Sequence, residues 1–256
     1  MIISHKHKFI FVKTAKVAGT SLEMALREHL GEDDISTPVV SYDEEKAEEN
    51  GYPGPQNFNE DYEVRTKTSC ARGISHEHSW AYEIRGMLDR EIWDEYFKFT
   101  IDRDPFDKSL SNYFHYSRSE NRTIYTKILS HIKKIVSRGG LSSPVHVANT
   151  CNLKEWLEFD VKYEFSQNFY RYTVDDEVIV DRVYDFSKMD IMISELEKMI
   201  GGGLRLPHTK KGSNKKLLQN DERHSLKEIF MNSEVAMKER SVLAGNWVKD
   251  KPIIIE

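Results

Sequence analysis

Two cysteines in 256 residues, Cys70 and Cys151, exclude a disulfide-stapled framework. They lie far apart and neither falls into metal-ligand spacing. A reduced, cytosolic setting is the simplest reading, with one disulfide left open. No run approaches the roughly 18 apolar residues of a membrane span. The first eight residues, Met1-Ile2-Ile3-Ser4-His5-Lys6-His7-Lys8, lack the apolar core of a signal peptide. Basic charge is not in excess either. Lys and Arg number 37 against 42 Asp and Glu, a formal net charge of −5. General nucleic-acid binding by bulk charge is thereby disfavoured, and any anion site must be local, built by a few placed residues. Also missing is G-x-x-x-x-G-K-[ST], the common loop for nucleoside triphosphates.

What is present suffices for a real core: 39% of the residues are hydrophobic and 11% of the chain is aromatic, beside 31% charged. The chain can hold one sizeable α/β domain or two small ones. We expect a single domain over residues 1–256. Phe9-Ile10-Phe11-Val12 reads as a strand, and Leu22, Ala25, Leu26, His29 and Leu30 share one helical face. Residues 32–63 are strongly acidic, contain Gly51-Tyr52-Pro53-Gly54-Pro55, and are expected to form a long, mostly irregular insertion. Residues 79–90 look helical. Tyr96-Phe97-Lys98-Phe99-Thr100-Ile101 is a second strand, and a helix starts at Pro105. Further helices are expected around 124–136, 153–159, 189–200 and 221–243, with a strand near 178–184. Alternating strands and helices predict an α/β fold with a mostly parallel central sheet flanked by helices.

Between the first strand and its helix stands Lys16-Val17-Ala18-Gly19-Thr20-Ser21. A strand, a tight basic turn of small residues and a helix form the layout of a phosphate cradle. Backbone N–H groups converge at the helix N-terminus, where the helix dipole favours negative charge. Gly19 permits close approach, Thr20 and Ser21 add hydroxyls, and Lys16 supplies charge. Taken alone, a capped helix behind a surface lysine fits these residues equally well. The second strand ends in Asp102-Arg103-Asp104-Pro105. An Arg at a strand's C-terminal end points into the crevice where α/β sheets bind ligands, and its planar fork suits a phosphate. Ser111, two helical turns further on, can add a hydroxyl; Ser109 lies on another face and ranks below it.

The order Lys…Gly-Thr-Ser resembles the 5′-phosphosulfate loop of sulfotransferases that use 3′-phosphoadenosine 5′-phosphosulfate (PAPS). Arg103-Asp104-Pro105-Phe106-Asp107-Lys108-Ser109-Leu110-Ser111-Asn112-Tyr113 resembles the 3′-phosphate signature of the same family. The resemblance implies a three-layer, P-loop NTPase-like fold and PAPS as sulfuryl donor, with no metal. It implies a donor site of Lys16, Val17, Ala18, Gly19, Thr20, Ser21, Arg103 and Ser111, joined by Lys211 from the basic stretch after Leu206-Pro207. There Lys210 stands where relatives often carry Asn, and Ser187 replaces an acidic residue, two departures from the pattern. It also implies a general base between the two loops. His78 fits that position best, with His76 the fallback. An imidazole of ordinary pKa about 6.5 suits removing a hydroxyl proton near neutral pH. The base readings stand against a surface histidine pair; a metal pair at His76 and His78 lacks a third ligand of sensible spacing. Lys13 is a weaker second candidate for the catalytic charge.

The implied reaction moves a sulfuryl group to an acceptor hydroxyl on a small molecule or glycan, most commonly a carbohydrate among relatives. Lacking an anchor, the chain is expected to be a cytoplasmic bacterial or viral protein, or one trimmed of its anchor. Two rivals stay open. One is a small-molecule kinase, for which Asp102 would hold Mg²⁺. The other is a non-catalytic nucleotide-binding module.

Overall fold

The strand Phe9–Val12 is apolar and buried at all four positions, the pattern of a strand covered on both faces. In the computed structural model, which describes residues 1–58, 78–117, 144–207, 220–230 and 233–245, this strand sits in the middle of a five-stranded sheet. The strands are β1 (Ile2–Ser4), β2 (Phe9–Val12), β3 (Ile35–Ser36), β4 (Phe97–Asp102) and, last in the chain, Arg182–Asp185. A two-stranded hairpin, β5 (Thr173–Val174) and β6 (Glu177–Val178), precedes that last strand, which is therefore β7. The sheet order is β3-β1-β2-β4-β7.

The β2–β4 and β4–β7 pairs are parallel, whereas β1 is antiparallel to both neighbours. The sheet is thus mixed, and the expected mostly parallel sheet holds only for its β2-β4-β7 half. The reason is chain length. Only residues 5–8 separate β1 from β2, and a parallel pair needs a crossover of about a dozen residues or more. The crossover from β2 toward β4 contains helix α1 (Gly19–Arg27), whose Leu22, Ala25 and Leu26 are fully buried. They pack in one core with Phe9, Phe11, Phe99, Tyr184 and Leu196. The rings of Phe11 and Phe99 stack at 5.2 Å between centroids, a cross-strand pair on the parallel ladder.

The structure describes the acidic insertion as far as residue 58, and the mostly irregular path expected for it is interrupted there. Helix α2 (Ser41–Glu49) forms because Met24, Val39 and Ala47 make a small apolar cluster beneath it. Arg27 then pins its first turn, with both terminal nitrogens 2.8 Å from the Glu44 carboxylate. Helices α3 (Ala81–Met87) and α4 (Arg90–Glu95) lead into β4.

The chain forms two compact units, and among the described residues all the strands belong to the first: residues 1–103, 168–211 and 238–256. The second unit, residues 104–167 and 212–237, is helical among its described residues. Its helices include α5 (Pro105–Ser117), α6 (Pro144–Thr150) and α7 (Leu153–Tyr163). An Asn152–Glu155 capping box starts α7. Phe106, Leu110, Trp156, Leu157 and Phe230 fill its core. The helix expected at 124–136 lies outside the described residues, as does most of the basic stretch 204–216. Among the described residues no helix is long and apolar enough to cross a membrane.

Candidate active site

β2 delivers the chain into residues 13–18, which turn sharply before α1. Lys16 (φ 63°) and Ala18 (φ 58°) both adopt the left-handed backbone, with Val17 between them on the ordinary side. Neither is glycine, so each conformation costs on the order of 1 kcal/mol or more and persists only because its surroundings impose it. Alternation of this kind turns successive N–H groups toward one concavity, the geometry of an anion-binding nest. Val17 is fully buried and anchors the turn, while Ala18 is exposed. Gly19 opens the helix. A Cβ there would meet Lys13 Cγ at 3.0 Å and the Thr14 carbonyl at 3.5 Å, so only glycine lets the loop lie this close to the strand end. The predicted cradle residues therefore come together as one turn, with Lys16 and Thr20 half-buried and Ser21 buried.

Lys13 does not share that face. Its side chain is buried under the loop and its ammonium pairs with Glu23 at 2.7 Å. The second oxygen system of Glu23 is engaged as well, Oε1 lying 2.7 Å from the Met1 amino group. Burial pushes the Glu23 carboxyl up, but the Lys13 and Met1 cations outweigh it and hold the pKa below its ordinary value. Lys13 thus serves as a buried counter-ion to α1, which leaves Lys16 as the loop's lysine.

Arg103 follows β4 directly. It is 7% exposed, its guanidinium lies 4.8 Å from the centre of the Phe186 ring, and Nη1 is 3.5 Å from the Lys16 carbonyl. The two motifs read separately in the sequence meet at this point. Asp102 beside it is fully buried and its oxygens accept from protein groups: Oδ1 from the Arg103 N–H (2.8 Å) and the Asn168 amide (3.0 Å), Oδ2 from the Tyr172 hydroxyl (2.7 Å). A carboxylate so enclosed is a scaffold element, and the Mg²⁺-ligand role considered for it is corrected accordingly. Burial, then the charges of Asp102 and Glu239, hold the Tyr172 hydroxyl well above its ordinary pKa, so it stays protonated as the donor.

Asn168 joins the site without a sequence motif to announce it. Fully buried, its amide pairs with the backbone of Ala15 as a neighbouring strand would, accepting from the N–H and donating to the carbonyl at 3.0 Å each. Its own N–H and that of Phe169 donate to Glu239 at 2.6 and 2.8 Å. One side chain thereby ties the residue before Lys16 to the residue before Arg103. The only signal was its place in Gln167-Asn168-Phe169-Tyr170; the Ala15 pairing spans 153 positions.

His78 reaches the same strand end. Its Nδ1 lies 3.2 Å from the Lys13 carbonyl. A carbonyl only accepts, so Nδ1 carries the proton and Nε2 is the basic nitrogen. Arg171 Nη1 donates to the His78 carbonyl at 3.0 Å. Burial first, then the Arg171 and Lys13 charges, lower the imidazole pKa well below its ordinary value, so His78 is neutral at pH 7.

His76 and Lys211 lie outside the described residues, as does Lys210. Ser111 lies half-buried on α5 in the second unit. Ser109, which ranked below it, is fully buried there and receives the Trp156 indole N–H at 3.0 Å. Among the described residues no group of three or more His, Cys, Asp or Glu side chains is arranged to hold a metal ion.

Comparison with known proteins adds a family. The family model described as "Sulfotransferase family" matches residues 1–201. Among solved structures, a sulfotransferase from Alicyclobacillus acidocaldarius is similar at 14% identity, covering 92% of this chain and 96% of that chain, with a TM-score of 0.37. No curated protein matches.

Proposed function

The chain belongs to the sulfotransferase family, and on that premise we propose that it transfers a sulfuryl group from PAPS to an acceptor hydroxyl, on a carbohydrate. The observation that carries the reading is the meeting of Arg103 Nη1 with the Lys16 carbonyl at 3.5 Å. Two basic side chains from two strand ends, one beside a backbone nest, suit a donor that presents two separated anionic groups. The residues fit such a nucleotide: a concavity of N–H groups at 16–18, a close approach that only Gly19 allows, and a guanidinium fork. We read β2, residues 13–18 and α1 as a P-loop-like unit acting on sulfur.

In this reading residues 16–21 hold the 5′-phosphosulfate and Arg103 the 3′-phosphate. Ser111 and Lys211 are assigned to the 3′-phosphate on the motif. His78 Nε2 takes the proton of the acceptor hydroxyl as its oxygen attacks sulfur. The S–O bond to the 5′-phosphate breaks, and the charge building on the departing oxygen is met by Lys16 and the loop N–H groups. These donors are fixed before the reaction, so little reorganisation is needed when charge develops. The proposed place of action is the cytoplasm.

Turnover with labelled PAPS tests the assignment. Lys16→Ala is expected to lose about 10²–10³-fold in kcat, as when one donor to a developing oxyanion is removed. Arg103→Ala is expected to weaken binding of 3′-phosphoadenosine 5′-phosphate while leaving adenosine 5′-phosphate unaffected. Equal binding of the bisphosphate by Arg103→Ala and wild type sinks the 3′-phosphate assignment. Full turnover in His78→Ala with loss in His76→Ala moves the base to His76.

A further inference from the structure

Three of the large apolar side chains left exposed on the described surface face one concavity. Tyr82 (46% exposed), Tyr170 (37%) and Val174 (36%) line the same cavity, of about 640 Å³, together with Trp80, Thr173, Asp175 and Asp176. Trp80 and Tyr82 meet edge to face, with centroids 5.5 Å apart. Both walls of this cavity are joined to His78. Trp80 follows it by two residues, and Tyr170 precedes Arg171, which donates to the His78 carbonyl. Aromatic side chains gathered around a concavity are the lining that a ring-bearing ligand takes.

The charge of the rim narrows the ligand. None of the seven lining residues is basic. Asp175 (φ 49°) and Asp176 (φ 66°) form the two-residue tip of the β5–β6 hairpin, a turn whose left-handed backbone Asp tolerates, so the turn places both residues at the cavity. Lys238 pairs with Asp176 at 2.7 Å; Asp175 has no ion-pair partner among the described residues. The rim carries an uncompensated negative charge beside aromatic faces. That combination attracts a cation through Coulomb and cation–π interaction and repels an anion.

We infer that this cavity is the acceptor subsite and that it takes a ring-bearing hydroxyl compound carrying an amine, discriminating against sulfated or otherwise polyanionic acceptors. The inference rests on the sulfuryl-transfer reading. Stacking holds the ring, the Asp175 carboxylate receives the ammonium, and the link to His78 sets a hydroxyl toward the base.

Direct binding tests it without turnover. Calorimetric titrations use three glucosamine oligomers of one length: free amine, N-acetylated and N-sulfated. The amine form is expected to bind about tenfold or more tighter than the N-sulfated form at physiological salt. Asp175→Asn is expected to shrink that ratio while retaining the N-acetylated oligomer, and Tyr170→Ala to weaken the amine and N-acetylated forms together. Equal or tighter binding of the N-sulfated oligomer, no binding of the amine oligomer, or an unchanged ratio in Asp175→Asn overturns the inference. A parallel titration with 3′-phosphoadenosine 5′-phosphate separates the two readings. Failure there, with the sugar preference intact, removes the donor assignment and leaves the cavity's charge preference standing.

Discussion

The loop at residues 13–21 and the segment carrying His78 sit at the same strand end and are built in opposite ways. The loop is fixed from within and beneath: left-handed turns at Lys16 and Ala18, a buried Lys13–Glu23 pair, and the Asn168 amide on the Ala15 backbone. His78 meets the Lys13 carbonyl through its Nδ1, while Arg171 donates to the His78 C=O. The difference teaches where precision is needed. An anion cradle made of N–H dipoles works only if the backbone is locked before charge develops. A base needs one nitrogen aimed and one protonation state secured, and two contacts with a lowered pKa supply both.

The largest break in that comparison comes from beneath the loop. Glu23→Gln keeps the shape but leaves the Lys13 ammonium buried beside an amide. It is expected to lose about 3–5 kcal/mol of stability, the effect of stranding one member of a buried pair. Lys13→Met combined with Glu23→Leu removes the Lys13–Glu23 charges but leaves the buried Met1 amino group without its carboxylate, and is expected to recover only part of that loss. Chemical denaturation of the three proteins checks it; a loss under about 1 kcal/mol in Glu23→Gln shows that the loop is not supported by this pair. The pH sign follows from the lowered Glu23 pKa. The pair's contribution is present above the ordinary carboxyl value of 4.5 and is lost as pH falls through the lower folded value. Acid sensitivity in that window is expected in wild type and is expected to be smaller in Glu23→Gln, where Asp34 with its own lowered pKa remains.

A smaller effect is expected from the side. Asn168→Ala removes the amide that serves Ala15 and Asp102 and is expected to lose about 1–3 kcal/mol. If the clamp sets the loop, affinity for 3′-phosphoadenosine 5′-phosphate falls by about tenfold as well. A drop in thermal midpoint with unchanged nucleotide affinity makes Asn168 a support of the fold alone.

Legibility in the sequence followed the same division. The loop was readable because its chemistry is local: a strand, six contiguous residues and a helix repeat are one stretch of chain. Arg103 was readable for the same reason, at the end of an aromatic strand before Pro105. His78 was placed by its position between those motifs, since ten histidines offer no other ranking. Asn168, Tyr172 and Glu239 act across more than 65 positions through hydrogen bonds that leave no local pattern. The inward turn of Lys13 was hidden too, because a lysine before a basic turn reads like a second phosphate ligand until Glu23 is seen facing it. The antiparallel strand β1 escaped because its three residues are too short to show a period.

The finest test of the comparison is the protonation of His78. Burial, then Arg171 and Lys13, disfavour the imidazolium, so the folded pKa lies well below 6.5. Catalysis by Nε2 requires the neutral ring. Lowering pH from 8 to 6.5 is therefore expected to leave kcat/KM unchanged, with the acid limb beginning only below that. A limb centred at or above 6.5 in wild type contradicts the placement of His78. Arg171→Gln removes the nearest cation while leaving an amide able to donate to the His78 carbonyl, and the limb is expected to move upward, toward the ordinary value. Stability obeys the same sign. The unfolded chain takes up the proton first as pH falls below 6.5, so the fold loses stability there, and His78→Gln is expected to lose less. A limb that moves without a change in KM for PAPS assigns the effect to the base and not to the loop.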